Sequence, residues 1–420
     1  MHSTSDLFAL LLVISAGLAY LNYRALKLPL TVGLLVGAVA GTLVLIALDA
    51  VLPGVGIKPA IRGLIASIDF PATLLNGFLA FLLFAGALHV DFADLFARKW
   101  TILALATLGT VLSTGLVALA LLAVARLCGL GIPIAWCLVF GALISPTDPV
   151  SVLDVLKRVG IPRTLQVTVA GESLFNDGVG VVLFTLLLSL ATGDQTGHFS
   201  GTEIASLFLL EAVGGGLLGL GLGYLALLLI RQVDDYNVEL IISLALASGT
   251  YSLAGRLGIS GPIAVVVAGI LIGNHAMAPA MSETTRVHLM DFWRFVEETL
   301  NALLFLLIGL EIVAIDLDLR AIAAMAAMIP LVLFIRWVSV AASALPLNLR
   351  LPRRYASLLI LTWGGLRGGL SIAMALSLPS GPHTATILTV AYGIVVFSIV
   401  AQGLTLAPVA RRLLRGRADE

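Results

Sequence analysis

Four polar side chains stand together in the apolar stretch AGESLFNDGVGVVLF. Glu172, Ser173, Asn176 and Asp177 fall at i, i+1, i+4 and i+5. At about 100° per residue this spacing places them on one face of a helix. Two carboxylates, an amide and a hydroxyl form an oxygen-rich wall, the kind of surface that hard cations select. A carboxylate in such a wall holds a proton or a metal ion but not both well. One site with two competing cargoes, loaded oppositely on two sides of a barrier, is sufficient for exchange.

Two further stretches carry the means to position such a site. GALISPTDPVS places Pro146 and Pro149 on either side of Thr147 and Asp148. Proline removes a backbone donor and clashes with the preceding turn, so a helix cannot run through intact. TWGGLRGGLS places Gly364, Gly365, Gly368 and Gly369 around Arg367. Each glycine in a helix interior costs about 1 kcal/mol relative to alanine, so the group predicts a second break. Broken helices expose free N–H and C=O groups and dipole ends that bind ions. The guanidinium of Arg367 requires an anion nearby. Glu172, Asp148 and Asp177 are candidates, and Glu172 is favoured as a structural partner because that leaves Asp177 free to titrate.

The elements that carry these groups belong in lipid. The chain is 60% hydrophobic and 11% charged, against about 25% charged in soluble domains. Its mean hydropathy is +1.09. So few charges cannot cover a water-facing surface of this size, and a net charge of zero argues against nucleic acid as a partner. Cys128 and Cys137 lack the spacing of a zinc site. No cofactor is expected. Ionisable groups at mid-membrane cost about 2.5–3.5 kcal/mol each on insertion scales and are functional by default.

Spanning helices need roughly 20 apolar residues. Thirteen stretches qualify, at approximately 6–23, 29–49, 71–92, 101–125, 131–156, 164–191, 204–230, 237–255, 261–280, 295–315, 321–345, 355–378 and 384–410. With the N-terminus outside, 17 of the 24 Lys and Arg residues fall in cytoplasmic segments, as the positive-inside rule requires. The expected architecture is all-α and polytopic, with the C-terminus cytoplasmic and no attached soluble domain. The two interrupted stretches are the fifth and the twelfth. Their offset predicts two six-helix repeats of inverted topology, with the seventh stretch, 204–230, as linker; paired interrupted helices in inverted halves point to a transporter's binding site.

Weaker patterns have plainer readings. Gly215, Gly219 and Gly223 form a GxxxG stripe suited to helix contact, although Gly214, Gly216 and Gly219 imitate a GxGxxG motif. Gly258-Ile259-Ser260-Gly261 imitates a GxSG protease motif without a supporting oxyanion arrangement.

ISPTDPVSVLDVLKRVGIP followed by GESLFNDG, together with WGGLRGGLSIAMALSLP and FWRFVEETLNALLFLLIGLEI, resembles the signatures of the NhaP/NHE branch of monovalent cation/proton antiporters. The likeness runs from about Pro29 to the C-terminus. It implies an NhaA-like antiporter fold with crossing interrupted helices. It also implies a homodimer whose dimerisation subdomain covers approximately 1–100 and 237–320, with a moving core at approximately 101–191 and 321–417. The aspartate matching Asp177 carries the ion or the proton; Ser173, Asp148 and Thr147 match positions in or beside the site; and the glutamate matching Glu172 pairs with the arginine matching Arg367. The Asn176–Asp177 pair matches the electroneutral branch. The function implied is exchange of Na+ (or K+ or Li+) for H+ in an inner membrane, serving pH and cation homeostasis, with the metal at Asp177, Ser173 and Thr147.

One departure is visible. Where family members often read LLFEAGL, this chain reads LLFAGAL, with Ala85 in place of a carboxylate and His89 four residues on. Two rival functions remain beside exchange. A carrier of another solute on the same plan would favour a cationic site, against the carboxylates present. A channel would conduct far faster than a rocking carrier.

Overall fold

In lipid each backbone N–H and C=O must find its partner inside its own segment, and a helix achieves this locally. Every regular element among the described residues is accordingly a helix. The computed structural model describes residues 4–52, 63, 73–148, 150–193, 201–233, 235–276, 283–312, 318–344 and 354–415. Pro149, one of the predicted helix breakers, lies outside the described residues.

The chain opens with α1 (Thr4–Leu21), α2 (Leu30–Val51), α3 (Leu79–Leu88) and α4 (Thr110–Leu127). The fifth predicted stretch divides into α5 (Ile134–Ile144) and α6 (Val150–Val159), separated by non-helical backbone. There follow α7 (Arg163–Thr192), α8 (Gly201–Ile230), α9 (Tyr236–Leu257), α10 (Gly261–Ala276), α11 (Glu283–Glu311) and α12 (Leu319–Ala344). The twelfth stretch divides in the same way, into α13 (Arg354–Trp363) and α14 (Gly369–Leu376). The last helices are α15 (Thr384–Phe397) and α16 (Gly403–Arg415), joined by a π-helical turn at Ser398–Gln402.

Among the described residues eight helices are long and apolar enough to cross a membrane, and three shorter apolar helices accompany them. The protein is a multi-pass membrane protein. Boundaries fall close to the hydropathy reading except at α11, which starts at Glu283 rather than near 295. Its first turns hold Glu283, Arg286, His288, Asp291 and Arg294, so hydropathy excludes them although the backbone is already helical.

Two sets of helices pack closely. In one, α10 lies on α3 and α8, and α9 lies on α10. The small-residue stripe of α8 makes that contact: a Cβ at Gly215 or Gly219 would run into the backbone of Ser260 or Ala264. In the other set α5 packs on α4 and α7, and α12 packs on α4 and α15. The protease-like GxSG is a helix start, since Ser260 Oγ accepts a hydrogen bond from the N–H of Ile263 at 3.4 Å.

Candidate ion-binding site

The two interrupted helices meet back to back in the middle of the second set. The N–H of Asp148 donates to the carbonyl of Leu366 at 2.8 Å, joining one break directly to the other. Glycine makes the approach possible at Gly368, where a Cβ would sit 2.5 Å from Asp148 Cβ and Oδ2. Each break caps its neighbour's helix. Arg367 donates to the carbonyls of Ser145 and Pro146, the latter at 3.0 Å, at the C-terminal end of α5. Asp148 stands at Gly368, which precedes the N-terminus of α14. A cation at a helix C-terminus and an anion at an N-terminus both match the helix dipole.

The remaining orphaned backbone groups are met by side chains of the π-helical turn. Ser398 Oγ accepts from the N–H of Arg367 at 2.9 Å, and Gln402 Nε2 donates to the carbonyl of Trp363 at 3.1 Å. Both side chains are buried. An inserted π turn shifts the register of side chains at functional sites, and here it turns these two toward the break. Neither residue was evident from sequence, because a single buried Ser or Gln in an apolar helix carries no signal of its partner.

The predicted face of α7 does come together with the first break. Asn176 uses both ends of its amide on Thr147: Oδ1 accepts from the backbone N–H at 3.3 Å and Nδ2 donates to Oγ1 at 2.9 Å. Ser173 Oγ donates to the carbonyl of Thr147, and Thr147 Oγ1 lies 3.4 Å from Ser173 Oγ. Ser173, Asn176 and Thr147 therefore form one buried hydrogen-bonded group that fixes the unwound backbone to α7.

Glu172 departs from expectation. Its predicted partner was Arg367; in the structure its Oε1 receives Arg336 Nη1 of α12 at 2.5 Å. Glu172 is 2% exposed and Arg336 6%, so the pair is desolvated. Arg336 Nη2 also donates to the carbonyl of Leu361 at 3.3 Å. The physical reason is competition: Arg367 is drawn to the exposed carbonyls of the first break, whereas Arg336 has a carboxylate across the helix interface. Two guanidiniums in neighbouring apolar helices cannot be ranked by sequence distance.

A cavity of about 540 Å³ reaches this centre. Pro146, Thr147, Asp148 and Asp177 line it from one side. Glu297, Glu298 and Asn301 of α11, with His89 after α3, line it elsewhere. Ser173 and Asn176 lie behind this wall. The exposed side chains of Lys157, Arg158 and Arg294 also border the cavity. Asp177 and Asp148 are close enough to repel one another. Among the described residues no hydrogen bond or ion pair engages the Asp177 carboxylate. No group of three or more His, Cys, Asp and Glu with metal-holding geometry occurs among the described residues.

The sodium/hydrogen exchanger transmembrane family model matches residues 10–412 of this chain. The chain belongs to the sodium/hydrogen exchanger family. The Na+/H+ antiporter NhaP of Pseudomonas aeruginosa is 42% identical, over 99% of this chain and 98% of its own. The Na+/H+ antiporter NhaH of Halobacillus dabanensis is 38% identical, over 98% of this chain and 99% of its own. In fold, the chain is similar to the sodium proton antiporter MjNhaP1 from Methanocaldococcus jannaschii, with a TM-score of 0.73, 20% identity and 98% of each chain covered. Within this exchanger the departure at the third stretch is plain: Ala85 is fully buried and does not line the cavity.

Proposed function

We propose that this exchanger carries Na+ inward or outward against H+ by alternating access, with Asp177 as the ligand that both cargoes share. The observation that carries the reading is Asp177 itself: a carboxylate on the cavity wall, beside Asp148, without a protein cation among the described residues. Two neighbouring carboxylates cannot both stay ionised cheaply, so each state of the carrier is stabilised by a proton or by a cation. Thr147 and Ser173 supply further oxygens, the Ser173 hydroxyl by turning from the Thr147 carbonyl. Asn176 holds the break in place and adds no charge, which suits exchange of one cation for one proton.

Lys157, Arg158 and Arg294 at the cavity border support, by the positive-inside rule, a cytoplasmic opening and with it an inward-facing conformation. In this reading the chain has thirteen spans in two inverted repeats, an outside N-terminus and a cytoplasmic C-terminus in a cell inner membrane; the paired breaks support the repeats and the distribution of Lys and Arg supports the orientation. The helix pairings support a division in which α4–α7 and α12–α16 move against α1–α3 and α9–α11, with α8 as linker and the second group making a homodimer contact.

The test is cation-induced proton movement in proteoliposomes with an acid interior and a pH dye. Adding Na+ should alkalinise the lumen, choline should not, and K+ and Li+ rank selectivity. Asp177→Asn, correctly inserted, should lose the response. Full activity in that variant would remove Asp177 from the mechanism, and insensitivity to a clamped membrane potential is expected of an electroneutral cycle.

A further inference from the structure

Arg294, Glu297, Glu298 and Asn301 of α11 follow i, i+3, i+4 and i+7 spacing, and all four line the cavity. One face of this helix is therefore polar along two turns. The stripe runs from the exposed Arg294 to Asn301, which is 4% exposed. Asn301 Nδ2 has no hydrogen-bond partner among the described residues. Buried side-chain amides are nearly always paired, so an orphan donor on a cavity wall points to a bound acceptor, such as the oxygen of a water carried in a cation's shell. Its depth follows from its neighbour. Leu304 packs against Gly369, next to the Gly368 position where the Asp148 carboxylate rests. Asn301 thus stands about one helical turn, roughly 5 Å along α11, from the level of the crossing. Glu298 stands one turn nearer the opening and is exposed. On the wall formed by α3 and α11, which pack together, Ala85 contributes no polar atom. The carboxylates and the amide of that wall come from α11.

Resting on the exchange reading above, we propose that Asn301 and Glu298 form a second station for the transported monovalent cation, where it sheds part of its water before reaching Asp177. The chemistry suits this role. The amide and carboxylate oxygens can replace water in the shell of a hard cation. The amide N–H can hold the oxygen of a water that the cation retains. The basic residues near the opening, Arg294, Lys157 and Arg158, keep the resting charge of this vestibule from becoming strongly negative, so the cation is passed on rather than trapped.

The station is separable from Asp177 by equilibrium binding of radiolabelled Na+ to purified protein. Asp177→Asn should retain measurable Na+ binding, and that residue of binding should vanish when Asn301→Leu and Glu298→Gln are added, each protein being monodisperse on gel filtration. In transport, Asn301→Leu should raise the Na+ KM about tenfold while kcat falls far less, the signature of lost ground-state binding, and Asn301→Gln should restore part of it. No Na+ binding in Asp177→Asn, or binding unchanged in the triple variant, would overturn the station. If wild-type protein exchanges no alkali cation, the exchange reading fails by itself, and the binding comparison still decides the station.

Discussion

The two interrupted helices solve the same problem by opposite means. The first is broken by Pro146 and carries hydroxyls and an acid; the second is broken by glycines and carries a guanidinium. The helix ends at the proline, which leaves the carbonyls of Ser145 and Pro146 without intrahelical donors, and these are what Arg367 occupies. Glycine takes away side-chain bulk and admits Asp148 against the backbone at Gly368. Neither break is self-sufficient: the charge in each one caps a helix end in the other. The crossing therefore behaves as one unit, and its stability lies in complementarity between chemically unlike halves.

The comparison can be broken most severely at the point of contact. Gly368→Val would push Asp148 away from the second break, and displacement of about 1 Å at such a site costs on the order of a hundredfold in rate. Exchange in proteoliposomes should fall accordingly, with membrane insertion retained; near-normal rates would show that the close approach is dispensable.

The next effect separates the two arginines. Arg336→Met strands Glu172 and should destabilise by about 3–5 kcal/mol, read as a lower melting temperature in detergent. Adding Glu172→Gln should recover much of that loss, since neutralising both partners removes the uncompensated charge. No coupling between these two positions would contradict the pair. Arg367→Met should cost less, about 1.5–3 kcal/mol for lost charge-assisted hydrogen bonds, and its coupling to Glu172 should be weaker than that of Arg336. Strong coupling to Glu172 would restore the pairing expected from sequence.

The smallest effect belongs to an exposed contact. Arg163 reaches Asp91 at 3.1 Å and Asp94 at 2.6 Å, with 71% of its side chain exposed. Arg163→Gln should change stability by only about 0–1 kcal/mol, and high salt should erase the difference. A large loss of melting temperature would mean that these charges do more than decorate the water-facing end of α7.

Much of the site was legible because its signals are local. The spacing of Glu172, Ser173, Asn176 and Asp177 shows one helical face without any partner. The role of Asn176 was not legible, since an amide can ligate an ion or bond a backbone and only the position of Thr147 shows that it does the latter. Arg336 was visible as an isolated charge in an apolar helix, yet nothing along the chain ties it to a residue 164 positions away. Asn301 is a lone neutral amide in an apolar run, and its unsatisfied nitrogen exists only once the helices are packed.

Hydropathy, proline and glycine by themselves determined that the chain spans a membrane, where its helices run and where two of them break. Those properties depend on the solvent around each segment and on backbone sterics, which act over a few residues. The tertiary structure alone decided which guanidinium meets Glu172, which side chains close the open backbone of the breaks, and which oxygens share the cavity with Asp177. Long-range pairing of charges depends on distances across helix interfaces, and desolvation makes those distances decisive.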